Sequence, residues 1–105
     1  MLHIHDVMLQ AITTMQPVLR AVEKGDRDLA SQLRRASSSV VLNIAEGSGS
    51  AGGVRLQRYR TALGSARETW ACLQVAQAAG YVGALPAPLP ALMNRVIGTL
   101  VRVAA

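Results

Sequence analysis

The stretch Leu56-Gln57-Arg58-Tyr59-Arg60-Thr61-Ala62-Leu63-Gly64-Ser65-Ala66-Arg67-Glu68-Thr69-Trp70-Ala71-Cys72-Leu73 decides the fold class. Leu56, Tyr59, Leu63, Ala66, Trp70 and Leu73 follow one another at steps of 3, 4, 3, 4 and 3. A half-buried strand would alternate with period two, whereas this rhythm is the seam along which one helix lies nearly parallel to another. It predicts a helix over about 53–79, ended by Gly80, with Trp70 and Tyr59 in the core. Gly64, inside that helix, is either a weak point or a site of close approach.

Toward the N-terminus the same period returns twice. Gly47 through Gly53 is a flexible connection, and before it a helix is expected over 27–47. Asp26 and Asp28 offer capping oxygen and negative charge at its start, and Leu29, Leu33, Ala36, Val40 and Ile44 form its apolar stripe. Ser39, Asn43 and Glu46 make a polar stripe beside it. Residues 4–24 carry Ile4, Met8, Ala11, Met15, Val18 and Val22 on one face. Pro17 lies inside this segment and should kink or divide it, because proline has no N–H to donate.

Toward the C-terminus, Pro86, Pro88 and Pro90 stiffen a connection into a helix over 90–104, with Leu92, Val96, Leu100 and Val103 as its stripe. No segment has a strand period, and no internal repeat is present. The expected fold is all-α, an antiparallel up-down-up-down four-helix bundle, with residues 1–105 as a single domain.

Half of the 105 residues are apolar, yet phenylalanine is missing, so small side chains must pack closely or share surface with copies of the chain. The formal charge of +5 is uneven. Residues 1–28 hold three cations and four acids, and residues 29–105 hold eight arginines against Glu46 and Glu68. Such a balance favours anionic partners in general. Cys72 is the only cysteine, which excludes an internal disulfide and a thiolate metal site and fits the cytoplasm. Met1 to Asp6 lack the basic and apolar regions of a signal peptide. The longest uncharged run, Thr69 to Asn94, is too polar and too broken by Gly80 and three prolines to span a bilayer. No membrane association is expected.

Two blocks carry a resemblance. Gln32-Leu33-Arg34-Arg35-Ala36-Ser37-Ser38-Ser39-Val40-Val41-Leu42-Asn43-Ile44-Ala45-Glu46-Gly47 resembles the signature of the bacterial four-helix-bundle proteins named for intervening sequences in 23S ribosomal RNA genes. Tyr59 through Glu68, and then Ala79-Gly80-Tyr81-Val82, are similar to that family as well. Asn43-Ile44-Ala45-Glu46-Gly47 is the most specific part. Val41 stands where the family usually has proline. The resemblance implies a four-helix bundle that assembles as a homopentamer and has no generally assigned activity. A related branch, the accessory variability protein of diversity-generating retroelements, binds nucleic acid and a reverse transcriptase with a basic surface.

No enzyme site can be assembled from the sequence. Gly47, Gly49 and Gly52 match G-x-G-x-x-G, but that pattern binds dinucleotides only between a strand and a helix. Glu46 and Glu68 lack the Glu-x-x-His partners of a di-iron bundle, and His3 and His5 are two apart, so no metal or other cofactor is expected. Ser37, Ser38 and Ser39 have no base nearby, and Cys72 sits beside the apolar seam as a buried structural thiol. Arg34-Arg35-Ala36-Ser37 resembles a kinase target, but in mid-helix it reads as chance.

Three expectations about sites remain. Arg35, Ser39, Asn43, Glu46, Ser65 and Glu68 should form a polar cluster between the second and third helices, with Asn43 and Glu68 close enough to share it. Arg55, Arg58, Arg60 and Arg67 are the candidate contacts for nucleic-acid phosphates, with Tyr81 the one loop aromatic; the alternative is a solvated arginine face. Finally, Val41, Leu42, Ala45, Met93, Ile97 and Val101 lie off the main stripes, so a monomer would expose them. Identical neighbours in a closed ring would cover them. The two function classes that follow are a non-catalytic oligomeric scaffold or interaction module, and a basic nucleic-acid-binding accessory protein acting with a reverse transcriptase.

Overall fold

The computed structural model describes residues 3–105; Met1 and Leu2, the start of the N-terminal stretch read above, lie outside the described residues. The chain is all-α, with helices α1 (Ile4–Thr14), α2 (Gln16–Gly25), α3 (Arg27–Ser48), α4 (Gly52–Ala78) and α5 (Pro88–Val103), and with no strand among the described residues.

The helix expected over 4–24 is therefore two. Pro17 falls in the first turn of α2, where its missing N–H costs least. Gln16 compensates just ahead of it: its Nε2 donates to the Ile12 carbonyl at 2.8 Å. Met15 joins the halves in a near-helical conformation, and its carbonyl accepts the Leu19 N–H at 2.9 Å. The break leaves the apolar face intact, because Ile4, Met8, Ala11, Met15, Val18 and Val22 are all buried.

Asp26 caps α3 by accepting the Leu29 N–H at 2.9 Å. All five stripe residues of α3, from Leu29 to Ile44, are buried. The helix runs without interruption through Val41, so the residue that replaces the family's proline also removes the break.

On α4 the rhythm is as expected but its phase is not. The buried seam is Tyr59, Ala62, Ala66, Thr69, Leu73 and Ala76, again at steps of 3, 4, 3, 4 and 3, with Cys72 buried beside it. Leu56, Leu63 and Trp70, expected in the seam, are only half-buried. The helix is turned so that its small residues face inward. Ala62 and Ala66 let α3 come close, and Thr69 enters the core because its hydroxyl donates to the Ser65 carbonyl at 2.8 Å. Gly80, at φ +77°, closes the helix: its N–H reaches the Gln77 carbonyl, and the Tyr81 N–H reaches that of Ala76.

A similar displacement holds on α5. Leu89, Met93, Val96 and Leu100 are fully buried, while Leu92 and Val103 are half-buried. Met93, expected on the exposed side, belongs to the core. Met8, Met15 and Met93 are all inaccessible to solvent, and their flexible thioethers fill the space that a phenylalanine-free sequence leaves.

The helices α3 and α4 pack antiparallel along most of their length, α1 lies against α3 and α5, α2 against α3, and α4 against α5. The molecule is 42 Å long, about the length of the 27-residue α4 at 1.5 Å per residue.

Candidate functional site

The polar stripe of α3 turns toward α4 and lines an open cleft of about 460 Å³. At its centre the Ser39 and Ser65 hydroxyl oxygens are 2.7 Å apart. Asn43 Nδ2 donates to the Ser39 carbonyl at 2.9 Å and to Ser39 Oγ at 3.1 Å. The Ser39 hydroxyl oxygen thus accepts from Asn43 and shares a hydrogen bond with the Ser65 hydroxyl, in which either can donate. At the end nearest the α3–α4 connection, Glu46 pairs with Arg58 at 3.0 Å. Arg34 and Arg35 line the other end, both exposed.

Glu68 stands apart from this network. The antiparallel register that sets Ser39 against Ser65 sends Asn43 one turn toward the connection and Glu68 one turn away from it. Glu68 is exposed and makes no hydrogen bond or ion pair among the described residues; its charge instead acts, after burial, as the lesser cause that pushes the Cys72 thiol up. Arg35 likewise has no ion-pair partner among the described residues. Of the six residues expected to cluster, the structure joins three, Ser39, Asn43 and Ser65, and Glu46 pairs separately with Arg58 beside them.

The arginines of α4 do not make one face. Arg55 Nε donates to the Gly47 carbonyl at 3.2 Å, and Arg58 holds Glu46, so both reach toward α3. Arg60 Nε donates at 3.3 Å to the carbonyl of Ala104, beyond the end of α5. Only Arg67 is exposed without such an anchor among the described residues. Tyr81 is no open stacking platform either: it is half-buried, and its ring lies so near Gly25 that a Cβ there would sit 2.5 Å from Tyr81 Cδ1.

Of the remaining nucleophiles Ser38 is exposed, while Ser37 and Cys72 face inward. Ser37 is buried and donates to the Leu33 carbonyl at 2.8 Å, which also removes it from the surface that a kinase would read. Cys72 is buried, and burial is the main reason its pKa is raised. Among the described residues no three His, Cys, Asp or Glu side chains gather in reach of one metal ion. Gly47, Gly49 and Gly52 bridge two helices.

Two features had no distinct signal in the sequence. One is the contact of Gly47 with Tyr59: a Cβ on Gly47 would lie 2.5 Å from Tyr59 Cε1. The glycine that ends the Asn43–Gly47 motif is thus a packing requirement within α3. The other is the ion pair between Arg34 Nη2 and Glu23 Oε2, which ties α2 to α3 and lowers the Glu23 pKa through the hydrogen bond and then the charge of Arg34.

The description 23S rRNA-intervening sequence protein matches residues 6–87, which include the whole cleft. The chain belongs to that family. No curated protein and no solved structure matches it.

Proposed function

We propose that this family member is a non-catalytic homo-oligomeric interaction module, built as an up-down-up-down four-helix bundle in which α1 and α2 form one bent arm. The observation that carries the reading is apolar surface left open beside the signature cleft. Leu42 is 60 % exposed and Leu9 43 % exposed, and with Ile12 and Val41 they wall a groove between α1 and α3. Half-buried Leu56, Leu63 and Trp70 along α4 add further apolar surface. Side chains of this kind in a basic, water-facing surface favour burial by another chain. A copy of the same chain meets that need, and a ring of five is the count that the resemblance implies.

The inward-facing Ser37 and Cys72 support a module without catalysis. Nucleic-acid binding through Arg55, Arg58, Arg60 and Arg67, alongside a reverse transcriptase, has less support, because three of the four guanidinium groups are engaged within the chain. No helix among the described residues is long and apolar enough to cross a membrane.

Light scattering of the purified protein, with and without Leu42→Lys, tests the reading. The expected result is an assembly near five chains that the charged side chain weakens. A monomeric mass at micromolar concentration rejects the assembly, and a stable dimer or tetramer rejects the count of five.

A further inference from the structure

We propose a second site, at the turn between α2 and α3, that binds an anion carrying two or more linked phosphate groups. Arg20 and Lys24 from α2 and Arg27 and Arg34 from α3 line one open cleft of about 640 Å³. The only carboxylate lining it is Glu23. Four cations against one acid leave a local charge of +3, out of +5 for the entire chain. This inference is independent of the assembly reading.

The last turn of α2 favours the charge of Lys24, but local structure does not account for the other cations. Arg20 and Lys24 are like charges four residues apart on one helix, a spacing that brings them together and destabilises the helix. Arg27 occupies the first turn of α3, where the helix dipole already supplies positive charge and disfavours a cation. Asp26, the cap of α3, and Asp28 lie close in sequence but do not line the cleft. Among the described residues the one ion pair here is Glu23 with Arg34; Glu23 also feels the charge of Arg27, but Arg20, Lys24 and Arg27 have no ion-pair partner of their own. An anion seated among them relieves each of these repulsions at once.

The geometry favours linked phosphates over a single small anion. Arg27 and Arg34 are seven residues apart on α3, two turns or about 10 Å along its axis, and share one face. Neighbouring phosphates in a chain are spaced to meet such cations in series. A lone sulfate reaches only one end. Glu23, whose pKa is lowered by the hydrogen bond and charge of Arg34, repels the ligand and acts as a gatekeeper of its affinity.

Free polyphosphates and the backbone of a single nucleic-acid strand share this chemistry. Titration calorimetry with tripolyphosphate at low salt is the test, with competition by a homopolymer oligonucleotide to separate the two sources. Saturable binding is expected. Glu23→Gln should tighten it by about 3- to 10-fold, since it removes the one carboxylate facing the ligand and releases Arg34 from its ion pair. Lys24→Gln with Arg27→Gln should weaken it by about 10-fold or more, while Arg95→Gln, which removes one charge on α5, should alter it little. Circular dichroism checks that each variant stays helical. Competition by the oligonucleotide supports the site with a strand as the source, and its failure supports a free polyphosphate. The proposal is overturned if no saturable binding occurs, if Glu23→Gln does not tighten it, or if Arg95→Gln weakens it as much as the double change.

Discussion

Ser39 and Ser65 meet hydroxyl to hydroxyl at 2.7 Å across the α3–α4 contact, and Asn43 donates to the Ser39 oxygen at 3.1 Å. The pair sits half-buried where two long helices are closest to sharing side chains. Removing either hydroxyl should cost about 1 kcal/mol, the usual net value of a hydrogen bond. Urea unfolding of Ser39→Ala, Ser65→Ala and the double variant gives the coupling. We expect the double variant to lose less than the sum of the single losses; strict additivity would mean that the two hydroxyls act independently.

Two glycines in helices should respond in opposite directions. Gly64 has nothing within 4 Å of where a Cβ would stand, so Gly64→Ala should stabilise by about 0.5–1 kcal/mol through helix propensity alone. At Gly47 the same methyl would strike the Tyr59 ring and the Arg58 Cβ, and Gly47→Ala should destabilise by about 1–3 kcal/mol. Thermal unfolding reads both signs. Stabilisation by Gly47→Ala would show that the Tyr59 ring swings away without loss.

Leu73 and Trp70 reverse the order that side-chain size suggests. Leu73 is fully buried, and Leu73→Ala should cost about 2–5 kcal/mol. Trp70, half-buried, should cost less than Leu73 when cut to alanine in the isolated chain. A larger loss from Trp70→Ala at a concentration where the protein is monomeric would place the indole in the core after all.

The Cys72 thiol predicts an alkaline limb to the stability curve. Burial, followed by the charge of Glu68, raises its pKa above that of a free thiol. The folded state therefore holds the proton more tightly than the unfolded one, and the contribution is complete below the unfolded pKa and lost as pH rises through the folded one. Denaturation midpoints of the native chain should fall above pH 9 more than those of Cys72→Ala. Equal slopes for the two proteins would remove the thiol as a cause.

Helix positions were readable in the sequence wherever the stripe was built from large side chains. On α1, α2 and α3 every expected core residue, from Ile4 to Ile44, is buried. On α4 the pattern gave the period but not the phase, because the reading followed Leu56, Leu63 and Trp70 while packing selected Ala62, Thr69 and Ala76. Alanine and threonine carry little hydrophobic signal, yet their small volume is what admits a neighbouring helix. The polar site was legible in part for a related reason. Spacing on one helix placed Ser39 and Asn43 on a common face, but only the register between two helices could put Ser65 inside the network and Glu68 outside it. The cationic turn formed by Arg20, Lys24, Arg27 and Arg34 is split between two helices, and Glu23, Asp26 and Asp28 interleave with its cations along the chain and mask them in the sequence.

The close fit of α3 to α4 also bears on how the chain reaches its native state. These helices are neighbours in sequence, joined by the three residues 49–51, so their contacts close short loops and carry little entropic penalty. The α1–α5 contact, by contrast, must bring together the two ends of the chain. We predict a polarised transition state with the α3–α4 hairpin formed and α1 and α5 still undocked. Leu33→Ala and Leu73→Ala should then slow refolding, whereas Met8→Ala and Leu100→Ala should chiefly speed unfolding. Stopped-flow kinetics on the four variants decides it, and a uniform division of each loss between the two rates would rule the hairpin out as the nucleus.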